Sequence, residues 1–168
     1  MNKVAKFERV SFNQFKKDMA GFNFSDDEVK KIYDNIKLPK RATKYSAGYD
    51  FFLPFDINLK ANESIAVPSG IRVKIDCSWV LQIYPRSGLG FKYQLCLANT
   101  VGIIDSDYYY SDNEGHIFAK ITNDSNEGKT VEIKKGTGFM QGIFVEYAIT
   151  FDDDCQSIRN GGFGSTTK

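Results

Sequence analysis

The sequence predicts a mainly β protein, an antiparallel sandwich or barrel with a short helical attachment at its N-terminal end. Three observations carry that expectation. From Ala47 onward the chain breaks into short runs of β-branched and aromatic residues, punctuated by turn residues such as Pro68-Ser-Gly70 and Asn123-Asp-Ser-Asn-Glu-Gly128. In Ile71-Arg-Val-Lys-Ile75 the alternation is strict, apolar residues one way and cations the other, which is the period of a half-buried strand. Before Pro39, apolar residues recur instead at helical spacing behind capping residues. Many short strands at this spacing favour antiparallel sheets over a parallel one.

Taken in order, Val4 to Val10 alternates and predicts a first strand. Ser11 is a candidate N-cap for a short helix with Phe12, Phe15 and Met19 on one side, and Gly21 stops it. Ser25-Asp-Asp-Glu28 has the form of a capping box and opens a helix to about Ile36, with Val29, Ile32, Tyr33 and Ile36 as its apolar stripe. Strands are expected at 49–52, 64–67, 71–75, 79–84, 93–97, 101–104, 117–121, 130–133 and 139–144. The end of the chain, from Arg159 to Lys168, is glycine-rich and supplies no core. The expected division is an N-terminal strand and helical attachment at 1–40, a β-barrel at 41–158 and a C-terminal arm at 159–168.

Composition narrows the function classes. The chain has 168 residues, enough for one domain with a real core. A net charge of +1 argues against general nucleic-acid binding, which needs a concentrated basic face. No apolar run is long enough for a membrane helix, and the N-terminus has no signal-peptide core, so a cytoplasmic protein is expected. Cys77, Cys96 and Cys155 are far apart and suit a reducing compartment rather than a disulfide frame or zinc site. The one histidine, His116, has no second ligand near it in sequence and reads as non-catalytic.

Five stretches carry chemistry. Ala47-Gly-Tyr-Asp50 sets a carboxylate on an apolar strand, where it needs a partner. Pro85-Arg-Ser-Gly-Leu-Gly90 offers the fork of Arg86 and the hydroxyl of Ser87, with Gly88 allowing close backbone approach, though alone it is only a strand-ending turn. Asn99-Thr-Val-Gly-Ile-Ile-Asp-Ser-Asp-Tyr108 ends a β-branched run in two acids and an aromatic. Gly136-Thr-Gly-Phe-Met-Gln141 brings a neutral amide into a strand. In Arg159-Asn-Gly-Gly-Phe-Gly-Ser-Thr-Thr167, a lone Phe163 among glycines, with Arg159, Ser165 and Thr166 nearby, could close on a ligand with a ring and phosphates.

In that order and spacing, the five stretches resemble the five motifs of the trimeric dUTP pyrophosphatases (dUTPases), from about Ala42 to the C-terminus. The resemblance implies a jelly-roll-like β-barrel, a homotrimer with active sites shared between subunits, and Mg²⁺-assisted hydrolysis of dUTP to dUMP and pyrophosphate. It implies Asp105 as the general base. Substrate binding falls to Arg86, Ser87, Gly88, Asn99, Gly102, Tyr108, Gln141, Arg159, Phe163, Gly164, Ser165 and Thr166, and Asp50 reaches the metal through water. Uracil would be read by Asn99 and the hairpin backbone, and Tyr108 under the sugar would exclude a 2′-hydroxyl.

The chain departs from the family pattern in three places. Gly138 stands where an arginine is usual, 109–115 reads as an insertion, and Arg159 is one residue closer to Gly-Gly-Phe than usual. The insertion is an expected exposed surface for a regulatory protein partner, as some viral members have. A deoxycytidine triphosphate deaminase of the same fold would need a glutamate in these motifs, and none is present.

Overall fold

The computed structural model describes residues 2–157 together with Arg159 and Gly161. The chain opens with strand β1 (Ala5–Arg9), followed by helices α1 (Phe12–Asp18) and α2 (Asp26–Asp34). Ser11 caps α1 by accepting the amide of Gln14 at 3.1 Å. Ser25 and Glu28 form the reciprocal capping box of α2, with three acids in its first turn beside the positive end of the helix dipole. Strands β2 (Lys40–Arg41), β3 (Tyr49–Phe52), β4 (Ile57–Leu59), β5 (Ser64–Pro68), β6 (Ile71–Ile75) and β7 (Trp79–Pro85) precede helix α3 (Ser87–Tyr93). Then come β8 (Leu95–Leu97), β9 (Gly102–Ile104), a 3-10 turn at Ser106–Tyr110, β10 (Phe118–Asn123), β11 (Val131–Ile133) and β12 (Gly138–Glu146).

All strand pairings are antiparallel, as the alternation requires. The largest sheet runs β2-β3-β12-β7-β9, a second runs β5-β10-β8, and β1-β6 and β4-β11 form ribbons. One apolar cluster joins them, with Phe51, Leu81, Ile83, Ile121, Phe139 and Met140 at 2 % exposure or less. Val10, Phe15, Met19 and Val29 belong to the same cluster, and β1 pairs with β6 along its full length. The N-terminal segment therefore shares the core rather than leaning on its outside.

Several expectations need correction. The strand expected at 93–97 starts only at Leu95, because Ser87–Tyr93 is helical and Gln94 ends that helix in the left-handed region at φ 53°. The turn expected at Pro85–Gly90 is thus the start of α3. The strand expected at 101–104 starts at Gly102, opposite Ile83. β4 is not visible in the sequence, because three residues show too little alternation and its order comes from pairing with β11. The insertion at 109–115 is also less exposed than expected. Tyr109 donates to Glu8 at 2.7 Å and lies under the Arg72 guanidinium at 4.3 Å. Ser111 and Gly115 are buried, which leaves Tyr110 and Asp112 as its outward-facing side chains.

Candidate functional site

The chain builds two groups of site residues, and the first lies where two consecutive strands part. β8 pairs with β10 in one sheet, whereas β9 pairs with β7 in another. The tip between them, closed by the Thr100 amide on the Leu97 carbonyl at 3.0 Å, spans the opening. Beneath it is a pocket of about 270 Å³ lined by Asn99, Gly102, Asp105, Tyr108, Phe118 and Arg159, with apolar walls from Ile83, Ile104 and Ala119. Gly102 lets β9 lie close to its neighbour: a Cβ there would stand 3.2 Å from that of Ile83.

Asp105 precedes the 3-10 turn in an extended conformation, and its side chain makes no capping bond. Its carboxylate receives the Arg159 Nη2 instead, and Arg159 Nε reaches Asp107 Oδ1 at 3.0 Å. Tyr108 is 6 % exposed. Its hydroxyl donates to the His116 carbonyl at 2.8 Å and accepts from Asn113 Nδ2 at 2.8 Å. Burial pushes that hydroxyl above the ordinary tyrosine range, so it keeps its proton as a donor.

The second group gathers at the C-terminal end of β7. Arg86 follows that strand, and its Nε stands 3.4 Å from Asp50 Oδ1 on β3, which gives the strand carboxylate the partner it needed. Gln141 is in register with Asp50 on one side and Tyr84 on the other. Both side chains lie over glycines. A Cβ at Gly48 would meet Gln141 Oε1 at 2.5 Å, and one at Gly138 would meet Arg86 Nη1 at 2.5 Å. The missing side chain at position 138 is therefore the space that the Arg86 guanidinium fills. Ser87 and Gly88 are exposed in the first turn of α3, where amides point out of the helix without intrahelical acceptors.

The structure thus brings Asn99, Gly102, Asp105, Tyr108 and Arg159 together, and separately Asp50, Arg86, Ser87, Gly88 and Gln141. It does not bring the two groups to one place. None of Asp50, Arg86, Ser87, Gly88 and Gln141 lines the pocket, although Gly102 is opposite Ile83, three residues before Arg86. Phe163, Gly164, Ser165 and Thr166 lie outside the described residues. Sequence reasoning missed Asp107 as a partner of Arg159, and also the tie between Asp18 and His116, 98 residues apart, which no local pattern signals.

Comparison with known proteins places the whole chain. The dUTPase family model matches residues 34–167. The chain belongs to the dUTPase family. It is 40% identical over 144 residues to the deoxyuridine 5′-triphosphate nucleotidohydrolase of Lactococcus lactis, covering 83% of this chain and 95% of that one. The crystal structure of the dUTPase from Streptococcus mutans superposes with a TM-score of 0.65 at 32% identity, over 86% of this chain and 97% of the other. A mutant dUTPase from phage phi11 of S. aureus, described with a structural Mg(II) ion, shares the fold at a TM-score of 0.64 and 18% identity over 92% and 98% of the two chains. No helix among the described residues is long and apolar enough to cross a membrane.

Proposed function

We infer that this chain hydrolyses dUTP to dUMP and pyrophosphate, with the hairpin pocket holding the deoxyuridine and the arginine-amide cluster holding the phosphates. The observation that supports this most strongly is the position of Asp105. It is a half-exposed carboxylate at the rim of a pocket of nucleoside size, next to the amide of Asn99 and the Tyr108 ring. An ionised carboxylate there accepts a hydrogen bond from water and takes its proton as the water oxygen attacks the α-phosphorus. The bond from that phosphorus to the bridging oxygen breaks, and pyrophosphate leaves with the electron pair. General-base help of this kind is worth about 10²–10⁴-fold.

Arg159 bridges Asp105 and Asp107. Phosphate oxygens compete for the same guanidinium, so binding the triphosphate frees Asp105 to face water while Arg159 takes up the new charge. Arg86, Ser87, Gly88 and Gln141 neutralise and orient the phosphates, with Asp50 fixing Arg86. Phe163, Gly164, Ser165 and Thr166 complete the enclosure. Asn99 and the Gly102 backbone read the uracil edge, and Tyr108 lies against the sugar.

Among the described residues, no group of three or more His, Cys, Asp or Glu side chains could cage a metal ion. Mg²⁺ would come with the substrate phosphates, the usual habit of this ion. When bound it would supply charge stabilisation to the phosphates, and Asp50, beside Arg86, is the carboxylate that would face it.

The absence of the Arg86 group from the pocket lining supports a homotrimer in which the phosphate group of one subunit serves the pocket of another. β9 is the edge of its sheet and carries Ile103 at 55% exposure, a surface suited to a neighbour. The reading implies a cytoplasmic enzyme of nucleotide metabolism. Pyrophosphate release measured across dUTP, dTTP, dCTP and UTP tests it. A strong preference for dUTP is expected, and equal rates on all four would overturn the assignment.

A further inference from the structure

His116 is fully buried beneath the pocket, and the proposed chemistry does not use it. Its Nε2 accepts the Gly70 amide at 2.7 Å. An amide can only donate, so this nitrogen carries no hydrogen and the ring proton is on Nδ1. Nδ1 stands 2.6 Å from Asp18 Oδ2, at the end of α1, and the same oxygen accepts Gln14 Nε2 at 2.7 Å. Burial opposes the charge on Asp18, but the bonds from His116 and Gln14 outweigh it and hold the carboxyl below its usual range. The ring is therefore fixed at both nitrogens by groups from different parts of the chain, with Phe15 and Phe118 against it at 6.1 and 4.6 Å.

The peptide carbonyl of this same histidine takes the Tyr108 hydroxyl. The next three residues, Ile117, Phe118 and Ala119, are pocket wall. An apolar side chain would fill the position without burying a polar pair, whose desolvation is costly. What the pair adds is a single orientation for the ring, and so for the carbonyl and wall attached to it.

We propose that Asp18 and His116 are positioning residues that set the fit of the sugar: α1 fixes the His116 ring through Asp18, and His116 fixes the Tyr108 hydroxyl and the Phe118 wall. The proposal rests on the hairpin pocket being the deoxyuridine site. It gives the N-terminal segment a part in substrate choice as well as in the core.

The test is the ratio of kcat/KM for dUTP to that for UTP, with both substrates assayed on one preparation so that the fraction of folded enzyme cancels. In Asp18→Ala, KM for dUTP should rise about tenfold with kcat within about twofold, because small misplacements near the reacting groups are costly. The dUTP-to-UTP ratio should fall at least about threefold. Asp18→Asn keeps an oxygen for both donors and should restore the ratio to near the wild-type value. A folded Asp18→Ala enzyme with the wild-type ratio overturns the proposal. Should that variant not fold, Asp18→Ser is read on the same ratio, and an unchanged value again overturns it. A wild-type enzyme that does not prefer dUTP to UTP would overturn the pocket reading itself, an outcome visible before any variant is made.

Discussion

The hairpin pocket and the Arg86 cluster are built on different principles. At the pocket, side chains are held by the interior: Tyr108 is buried and bonded at its hydroxyl to both Asn113 and His116, and the walls belong to four strands of two sheets. At the Arg86 cluster the groups are close to solvent, with the Arg86 side chain 41% exposed and Ser87 and Gly88 on the surface. They are aligned by strand register and by the space over two glycines. A nucleoside is rigid and apolar-faced, and a walled cavity selects it. A phosphate chain is charged along its length, and solvent-facing cationic and amide donors can meet its oxygens.

The contrast breaks first at Asp105. Asp105→Asn should keep the fold and nucleotide binding while turnover falls by about a hundredfold or more, measured as pyrophosphate release. Near-normal turnover would move the base elsewhere. Next, if the halves come from different subunits, mixing inactive Asp105→Asn chains with inactive Arg86→Ala chains should raise activity at least about tenfold above either alone. No recovery on mixing would place both halves of each site in one chain.

A finer test separates the two groups within one chain. Gly138→Ala puts a methyl 2.5 Å from Arg86 Nη1 and should push that guanidinium off Asp50. The KM for dUTP should rise about threefold to tenfold, while binding of deoxyuridine, which has no phosphates, stays unchanged by calorimetry. A parallel loss of deoxyuridine affinity would show the groups are mechanically coupled.

The smallest effect belongs to Glu8, which supports the pocket from β1. Lys6, then Tyr109, bonded to its carboxylate, hold it down to about 2 from an ordinary 4.5. A lowered acid stabilises the folded state above about pH 4.5, and the contribution is lost as pH falls towards 2. Glu8→Gln should therefore lower stability at pH 7 by less than about 1 kcal/mol, since the carboxylate is partly solvated. That difference should vanish near pH 2 in denaturant unfolding.

The strands with clear alternation were legible in the sequence, as were both capped helices, because pattern and caps act locally. Ser25 and Glu28 sit where the capping box predicts, and β6 coincides with its expected span. What escaped was set by distant partners. β4 exists because β11 is beside it, and the helix after Pro85 overrides a glycine-rich local sequence. At the site, the residue types of Asp50 and Arg86 were readable, but their pairing was not, since β3 and β7 meet only through β12. The role of position 138 was equally hidden, because an absent side chain has no sequence signal beyond being glycine.

That vacancy makes positions 86 and 138 genetically interdependent. Arg86 in its present pose excludes any side chain at 138, so a change there is harmful beside arginine and should be nearly silent beside Arg86→Ala. In a lineage, a larger residue can enter position 138 without loss only after, or together with, a change in how Arg86 lies. The order of substitutions along this edge is thus constrained by a few cubic ångströms, and the two sites should drift as a pair.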